Sequence, residues 1–417
     1  MSQEDINFFR KHLKTSGGVE TFIKHLMQVG QQNVHTPFDL CQEIISKLQE
    51  FASLADKKIA VLFNTEFLHV LIDTFGVNLD NITMFADDPV EFEFCKLQYK
   101  MKPGINLFQI DIPKTIEEEG LRTREGNCVM KFDVLVMNPP YQAPCDKEVF
   151  EEKTQKQQKG SRASLWDKFV KLSFDIVKDN GFVCAVHPSL WRRTDHKLFD
   201  TIVGNNLFYL SIHDVKSGVI TFGASTRFDW YVAQKAKYSG NTIIVDEKGM
   251  KNECNISEFR FIPNCNFDLI KKIIAQKDQK VCDIAYSYSA YDHRKPWVSQ
   301  LQSEKFKYPL VYSITKGRGL ELYYTSDNSK DELFVPKVIF NIGGTFLDAI
   351  VDVEGKYGMC EFACGIKIAT KQEGENIKKA ILSEEFKKIW IATQWQAVNR
   401  DCRMFRYFRK DFWKDFV

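Results

Sequence analysis

From residue 57 onward, apolar runs of strand length alternate with amphipathic stretches, and this alternation limits the fold more than any other feature of the chain. KKIAVLFNTEF (57–67), NITMFADDP (81–89), INLFQIDI (105–112), KFDVLVMNPPY (131–141) and GFVCAVHPSLW (181–191) each read as a buried strand. HVLIDTFGVN after the first run reads as a short helix ending near Gly76, and Trp166, Phe169, Leu172 and Ile176 mark a helix before the fifth. Upstream, residues 1–55 read as helical. Leu40, Ile44, Ile45, Leu48 and Phe51 fall on one face, and Thr36-Pro37 marks the entry. Strands alternating with helices at this spacing predict a parallel, doubly wound α/β sheet. NNLFYLSIHDV and ASTRFDWYVAQKAK read as further strands that complete it by about residue 238. Ligands of such sheets bind at the carboxyl ends of the strands, where the acids of MFADDP and the NPPY segment lie.

The 417 residues suffice for two domains, and 44% hydrophobic residues, 34 of them Phe, suffice for sizeable cores. After KAKYSGN the texture turns to short irregular strands and few periodic helices. The expected domains are therefore 1–238 and a strand-rich α+β domain over 239–417. With 57 Lys+Arg against 55 Asp+Glu, the charges nearly cancel, which excludes a protein that coats nucleic acid through bulk charge. The 11 cysteines include no CxxC pair and the eight His are dispersed, so buried thiols of a reducing compartment are expected and no metal site. MSQEDINFFRKH has no signal-peptide core, and no apolar run approaches the roughly 18 residues of a membrane span. A soluble intracellular protein is expected, acting in the cytoplasm or, if viral, in the host cell.

Asn138-Pro139-Pro140-Tyr141, at the end of a hydrophobic strand, carries the chemistry. The lone pair of an amino group on a ring or an amide is delocalised and poorly nucleophilic. Two acceptors holding its N–H bonds favour a geometry in which the lone pair can attack, and the Asn138 side-chain oxygen and Pro139 carbonyl supply such a pair. The prolines hold the backbone rigid, so little ordering remains for the moment of reaction. Tyr141 offers a face on which a flipped base can stack.

In motif order over residues 30–238 the chain resembles the S-adenosylmethionine-dependent amino-group methyltransferases, and most closely the gamma-class DNA adenine-N6 methyltransferases. The resemblance implies a Rossmann-like methyltransferase domain over 1–238, with catalytic Asn138, Pro139, Pro140 and Tyr141, and a C-terminal target-recognition domain over 239–417. It places His35, Thr36 and Pro37 near the methionine moiety of the cofactor, with Asp87, and next to it Asp88, at the ribose hydroxyls. Asp111 and Ile112 fall near the cofactor's adenine, Asn138 beside the cofactor, and Phe222 at the wall of the target-base pocket. One departure stands out. The family's first cofactor loop is rich in glycine, whereas VLFNTEFLHVL (61–71) has none and puts Phe63, Asn64 and Glu66 at those positions.

The NPPY pattern does not by itself name the substrate. RNA and protein-glutamine methyltransferases resemble it too, and a methylase-like specificity subunit that has lost its cofactor is a third reading. The 180 or so residues after the catalytic domain favour duplex DNA. Lys156, Lys159 and Arg162 in the polar segment after NPPY, Arg318 in the Gly317-Arg318-Gly319 turn, and Arg403 and Arg406 among the tail aromatics are the expected DNA contacts. A monomer is expected, with a restriction subunit or activating partner as its protein partner. No convincing nuclease motif is present.

Overall fold

The computed structural model describes residues 35–124, 126–127, 130–141, 164–193, 195–287, 289–315, 319–343, 348–395 and 400–417. The chain divides into two compact units, Met1–Ile256 and Ser257–Val417.

In the first unit α1 (Phe38–Gln49) precedes β1 (Ile59–Leu62) and α2 (Thr65–His69), which runs on as a π-turn over Val70–Thr74. Then come β2 (Ile82–Ala86), α3 (Pro89–Gln98), β3 (Leu107–Gln109), α4 (Ile112–Glu117), a ribbon of β4 (Arg122–Thr123) and β5 (Gly126–Asn127), and β6 (Phe132–Met137). The unit continues with α5 (Trp166–Ile176), β7 (Val177–Pro188), α6 (Phe199–Gly204), β8 (Asn205–His213), α7 (Val215–Phe222), β9 (Phe228–Lys237), β10 (Thr242–Val245) and β11 (Lys251–Cys254). Helix starts follow local chemistry. Asp88 accepts from the N–H groups of Val90 and Glu91 ahead of Pro89, Asp111 caps α4 and Asp214 caps α7.

Nine strands form one sheet in the order β11-β10-β8-β9-β7-β6-β1-β2-β3. The pairings β1–β2, β1–β6, β2–β3, β6–β7 and β8–β10 are parallel. The sheet is thus the expected doubly wound type, with one correction: β9 runs antiparallel between β7 and β8. After α7 the chain turns directly back at residues 223–227 into that slot instead of crossing the sheet first. A second correction concerns the boundary expected after residue 238. The β10–β11 hairpin hydrogen-bonds onto β8, so the first unit runs to Ile256.

Alternation along the strands distributes the core to both faces. Ile59, Val61, Val134, Val136, Cys184, Val186 and Trp230 pack with Leu40, Ile44, Phe67, Leu68 and Phe94 of α1–α3. The intervening Ala60, Leu62, Leu135, Met137, Ala185 and Tyr231 are equally buried. On that side α5 contributes Phe169, edge-on to Phe63 at 4.7 Å, and Trp166, stacked on His187 at 4.8 Å.

The second unit holds α8 (Phe267–Ile273), β12 (Ile284–Ala285), β13 (Val298–Ser299), β14 (Tyr308–Thr315), β15 (Gly319–Thr325), β16 (Lys337–Asn341), β17 (Ala349–Asp352), β18 (Gly358–Met359), β19 (Ala363–Lys367), α9 (Lys371–Ile381) and α10 (Glu384–Ala392). The strands form two four-stranded sheets, β12-β19-β16-β17 and β13-β15-β14-β18. The tail aromatics Phe405, Phe408 and Phe412 are fully buried and pack with Phe386 of α10. They belong to a core rather than to a base-stacking surface. Among the described residues the cysteines are free and all but Cys254 are buried. Among the same residues, no helix is long and apolar enough to cross a membrane.

Candidate active site

The strand order reverses at β1, which lies between β2 and β6, and in doubly wound sheets ligands bind at the carboxyl ends of the strands beside such a switch point. Only Phe63 and Asn64 separate β1 from α2. Phe63 holds the left-handed conformation, φ 70°, that a glycine would adopt without strain. For a residue with a side chain this costs about 1–3 kcal/mol, and burial of the phenyl ring against Phe169 offsets it. The loop thus makes its turn without glycine by using the ring as a core residue.

Every side chain of this short loop faces a protein partner. Asn64 Oδ1 accepts the backbone N–H of Asn138 at 2.6 Å, bracing the end of β1 against the end of β6. Thr65 donates both its N–H (2.9 Å) and its hydroxyl (2.6 Å) to Glu91 Oε1 on α3. Glu66 meets His35 Nδ1 at 2.8 Å. The buried Glu91 carboxylate therefore occupies the electropositive amino end of α2. Burial, and then the neighbouring Asp87, push its pKa well above the usual carboxylate value. Among the described residues its Oε2 has no protein partner, nor has the buried Gln109 Nε2 at the end of β3.

At the end of β2 the two expected acids separate in role. Asp88 Oδ1 is committed to the α3 cap at 2.6 and 3.3 Å, whereas Asp87, half-buried, precedes the cap. Asp111 caps α4 through Lys114 N at 3.1 Å, and Ile112 beside it is half-buried.

Asn138 follows β6 directly and is 3% exposed. Its amide nitrogen donates to Thr36 Oγ1 at 3.1 Å, which fixes the side-chain orientation from a residue 102 positions away. Tyr141 is half-buried, with its hydroxyl tip sealed. A buried polar cluster lies near the carboxyl end of β7. Asp229 Oδ2 accepts from Trp191 Nε1 and Arg192 Nε, each at 2.8 Å, and Asp229 and Arg192 are both fully buried. His187, opposite Asp229 across the β7–β9 pair, lies between Trp166 and Tyr231.

Burial depresses His187 to about 3, and depresses His196 and His213 to about 4. In the unfolded chain each returns to about 6.5, so between these values the unfolded state binds more protons. Stability is therefore full above about pH 6.5 and falls as the pH drops toward 4, with a slope of up to about 1.4 kcal/mol per pH unit for each His. Urea unfolding at pH 7 and pH 5 measures the loss, and His187→Phe, which keeps a ring on Trp166, is expected to flatten the slope.

Residues 32–220 match the Eco57I restriction-modification methylase family. This segment contains the switch point of the sheet and the whole Asn138–Tyr141 tetrapeptide. No curated protein matches the chain. Among solved structures, a nuclease-deletion mutant of the Type ISP restriction-modification enzyme LlaGI, in complex with a DNA substrate mimic, superposes with a TM-score of 0.53 at 10% identity. That match covers 96% of this chain and 56% of LlaGI. DrdV in its DNA complex gives 0.45 at 10% identity, over 92% of this chain and 56% of DrdV. A class I S-adenosylmethionine-dependent methyltransferase from Listeria monocytogenes gives 0.36 at 14% identity, over 55% of this chain and 69% of that one. The chain thus spans little more than half the length of the LlaGI and DrdV chains, and the likeness to LlaGI is one of fold.

Of the remaining expected residues, Phe222 ends α7, half-buried and edge-on to Phe228 at 4.9 Å. Arg403 forks Asp401 through bonds of 2.7 and 2.5 Å, and Arg406 is exposed. Lys156, Lys159, Arg162 and Arg318 lie outside the described residues. In the second unit Asp292, His293 and Glu361 bring ligand-type atoms within 4.8 Å of one another, but the Asp292 carboxylate is forked by Arg294 at 2.8 and 2.5 Å. Sequence reasoning missed Glu91, Asp229 and Tyr231. The one usable signal was an acid, Glu91, within an otherwise apolar first helical turn.

Proposed function

We propose that the first unit is a DNA methyltransferase that transfers a methyl group from S-adenosylmethionine to the N6 amino group of an adenine flipped out of duplex DNA, and that the second unit contacts that DNA. The observation that carries this is Asn138 at the switch point of the sheet. Its backbone is fixed by Asn64, the donor end of its amide is turned to Thr36, and two prolines follow. The match to a restriction-modification methylase family over residues 32–220 supports the reaction class.

The residues present fit the cofactor, with one exchange. The group is a sulfonium cation that also carries an ammonium, and the loop standing where the family's glycine loop would be carries the Glu66 carboxylate, with Asp87 after β2 as a second acid. Asp87, one residue ahead of the α3 cap formed by Asp88, is assigned to the ribose hydroxyls; His35, Thr36, Pro37, Asp111 and Ile112 line the remainder. When bound, the cofactor supplies an electrophilic methyl group. The chain's own residues do the rest. Asn138 and the Pro139 carbonyl accept the two N–H bonds of the amino group, Tyr141 and Phe222 flank the base, and the buried ends of β6 and β7 keep bulk water from the reacting nitrogen.

The test is a labelled methyl donor offered with DNA, RNA and protein in parallel. Label in DNA, as N6-methyladenine, is the expected result, and label in RNA or protein alone overturns the choice of substrate. A second reading, a cofactor-free specificity subunit, is favoured by the inward-facing Phe63–Glu66 loop. Calorimetric titration with S-adenosylmethionine separates the two: heat of binding is expected, and none at about millimolar ligand leaves the second reading.

A further inference from the structure

Among the described residues, four buried polar atoms have no protein hydrogen-bond partner: His187 Nε2 near the carboxyl end of β7, Asp229 Oδ1 and Tyr231 Oη near the amino end of β9, and Tyr141 Oη after β6. The strand register sets His187 directly opposite Asp229, and Tyr231, two residues on, shares the same face of the sheet. The His187 and Tyr231 rings meet edge-on at 5.3 Å. The Tyr141 carbonyl accepts the Leu165 N–H at 3.2 Å, and the next residue, Trp166, stacks on His187 at 4.8 Å, which brings Tyr141 to the same region. Burial, and with it the charge of Asp229, raises the pKa of both tyrosine hydroxyls. Native proteins leave few such groups unsatisfied. Several together in one polar site mean ordered water, which needs two to four partners.

The donor and acceptor count closes. His187 is neutral, and its Nδ1–H donates to the Pro188 carbonyl at 3.1 Å, so Nε2 is an acceptor. Asp229 Oδ1 is a second acceptor, and the two hydroxyls donate. Water supplies the complement, two donors and two acceptor lone pairs. Asp229 itself is clamped by Trp191 and Arg192 through its other oxygen.

We propose that a buried water site bounded by Tyr141, His187, Asp229 and Tyr231 ties the Tyr141 hydroxyl to Asp229, making Asp229 and Tyr231 positioning residues for the Tyr141 ring. This rests on the reading of Tyr141 as the face on which the target base stacks. Neither positioning residue touches substrate; both act by holding the ring at one angle.

The experiment uses the full chain with Tyr231→Phe, Tyr141→Phe and the double variant. Both substitutions keep the ring and remove only the hydroxyl. Melting temperatures and single-turnover methyl transfer are measured, with DNA whose methylated adenines have been mapped from expressing cells. Each single variant is expected to melt below the parent and to transfer about ten-fold more slowly, with KM for DNA within about two-fold. The double variant is expected to be no worse than the poorer single one, because both cut the same network. A Tyr231→Phe variant that melts above the parent, or additive losses in the double variant, overturns the water site. Non-additive melting with unchanged transfer rates overturns the positioning role. A parent that methylates no DNA, with melting still non-additive, overturns the stacking reading and leaves the water site standing.

Discussion

Asn138→Ala is expected to lower methyl transfer by about 10²–10³-fold while leaving DNA affinity close to that of the parent. The side-chain amide is lost, yet the backbone N–H of residue 138 still donates to Asn64 Oδ1, so the end of β6 stays braced. Within the fold, the substitution removes the donation from the amide to Thr36 Oγ1, a neutral hydrogen bond of about 0.5–1.5 kcal/mol. A rate defect far exceeding the stability defect is therefore the signature sought. Transfer by labelled cofactor, DNA binding by fluorescence anisotropy and urea unfolding on the same preparation measure the three quantities. Turnover near the parent rate would remove Asn138 from the mechanism.

The second large effect is on stability. Arg192→Met keeps a side chain of similar length but leaves the Asp229 carboxylate buried without its counter-ion. Loss of one partner of a fully buried pair typically destabilises by about 3–5 kcal/mol. Burial already holds Asp229 above the usual carboxylate range, with Arg192 pulling the other way, so removal of the arginine raises it further. The folded variant then binds a proton more readily than the unfolded chain, and its stability declines as the pH rises through the folded value. The defect of Arg192→Met is accordingly expected to be largest at neutral pH and to shrink on mild acidification. Arg192→Met/Asp229→Leu, which removes both charges, is expected to recover most of the loss. Unfolding in urea at pH 7 and pH 5 measures each case, and a single variant within about 1 kcal/mol of the parent would show that this pair does not hold the strands together.

The sheet was legible in the sequence because its strands are buried on both faces. Continuous apolar runs such as IAVL and VLVM mark such strands, and Pro-Pro, Asp-Pro or helical spacing mark where each ends. Two features were not legible. The antiparallel entry of β9 leaves no trace in FDWYVAQKAK, since a strand buried on both faces carries the same pattern in either direction. The β10–β11 hairpin, at the sheet edge, alternates weakly and reads like the irregular region that follows it. The tail is ambiguous for a related reason. Arg and Phe interleaved over 400–412 fit a stacking surface as well as a core with a solvated rim, and only packing against Phe386 distinguishes them.

By itself the sequence determined the Asn138–Tyr141 tetrapeptide, its place at a strand end and the acids after the second strand, because these are local statements about residue type and spacing. Tertiary structure alone decided which partners complete them. Thr36, 102 residues from Asn138, fixes the Asn138 amide; Glu91, 26 residues on, fills the helix end beside Thr65; and Arg192, 37 residues before Asp229, pairs with its buried carboxylate. Such pairings depend on which strand lies beside which. A hydrogen bond or buried charge is worth its energy only over about 3 Å, a distance that folding, and not sequence spacing, supplies.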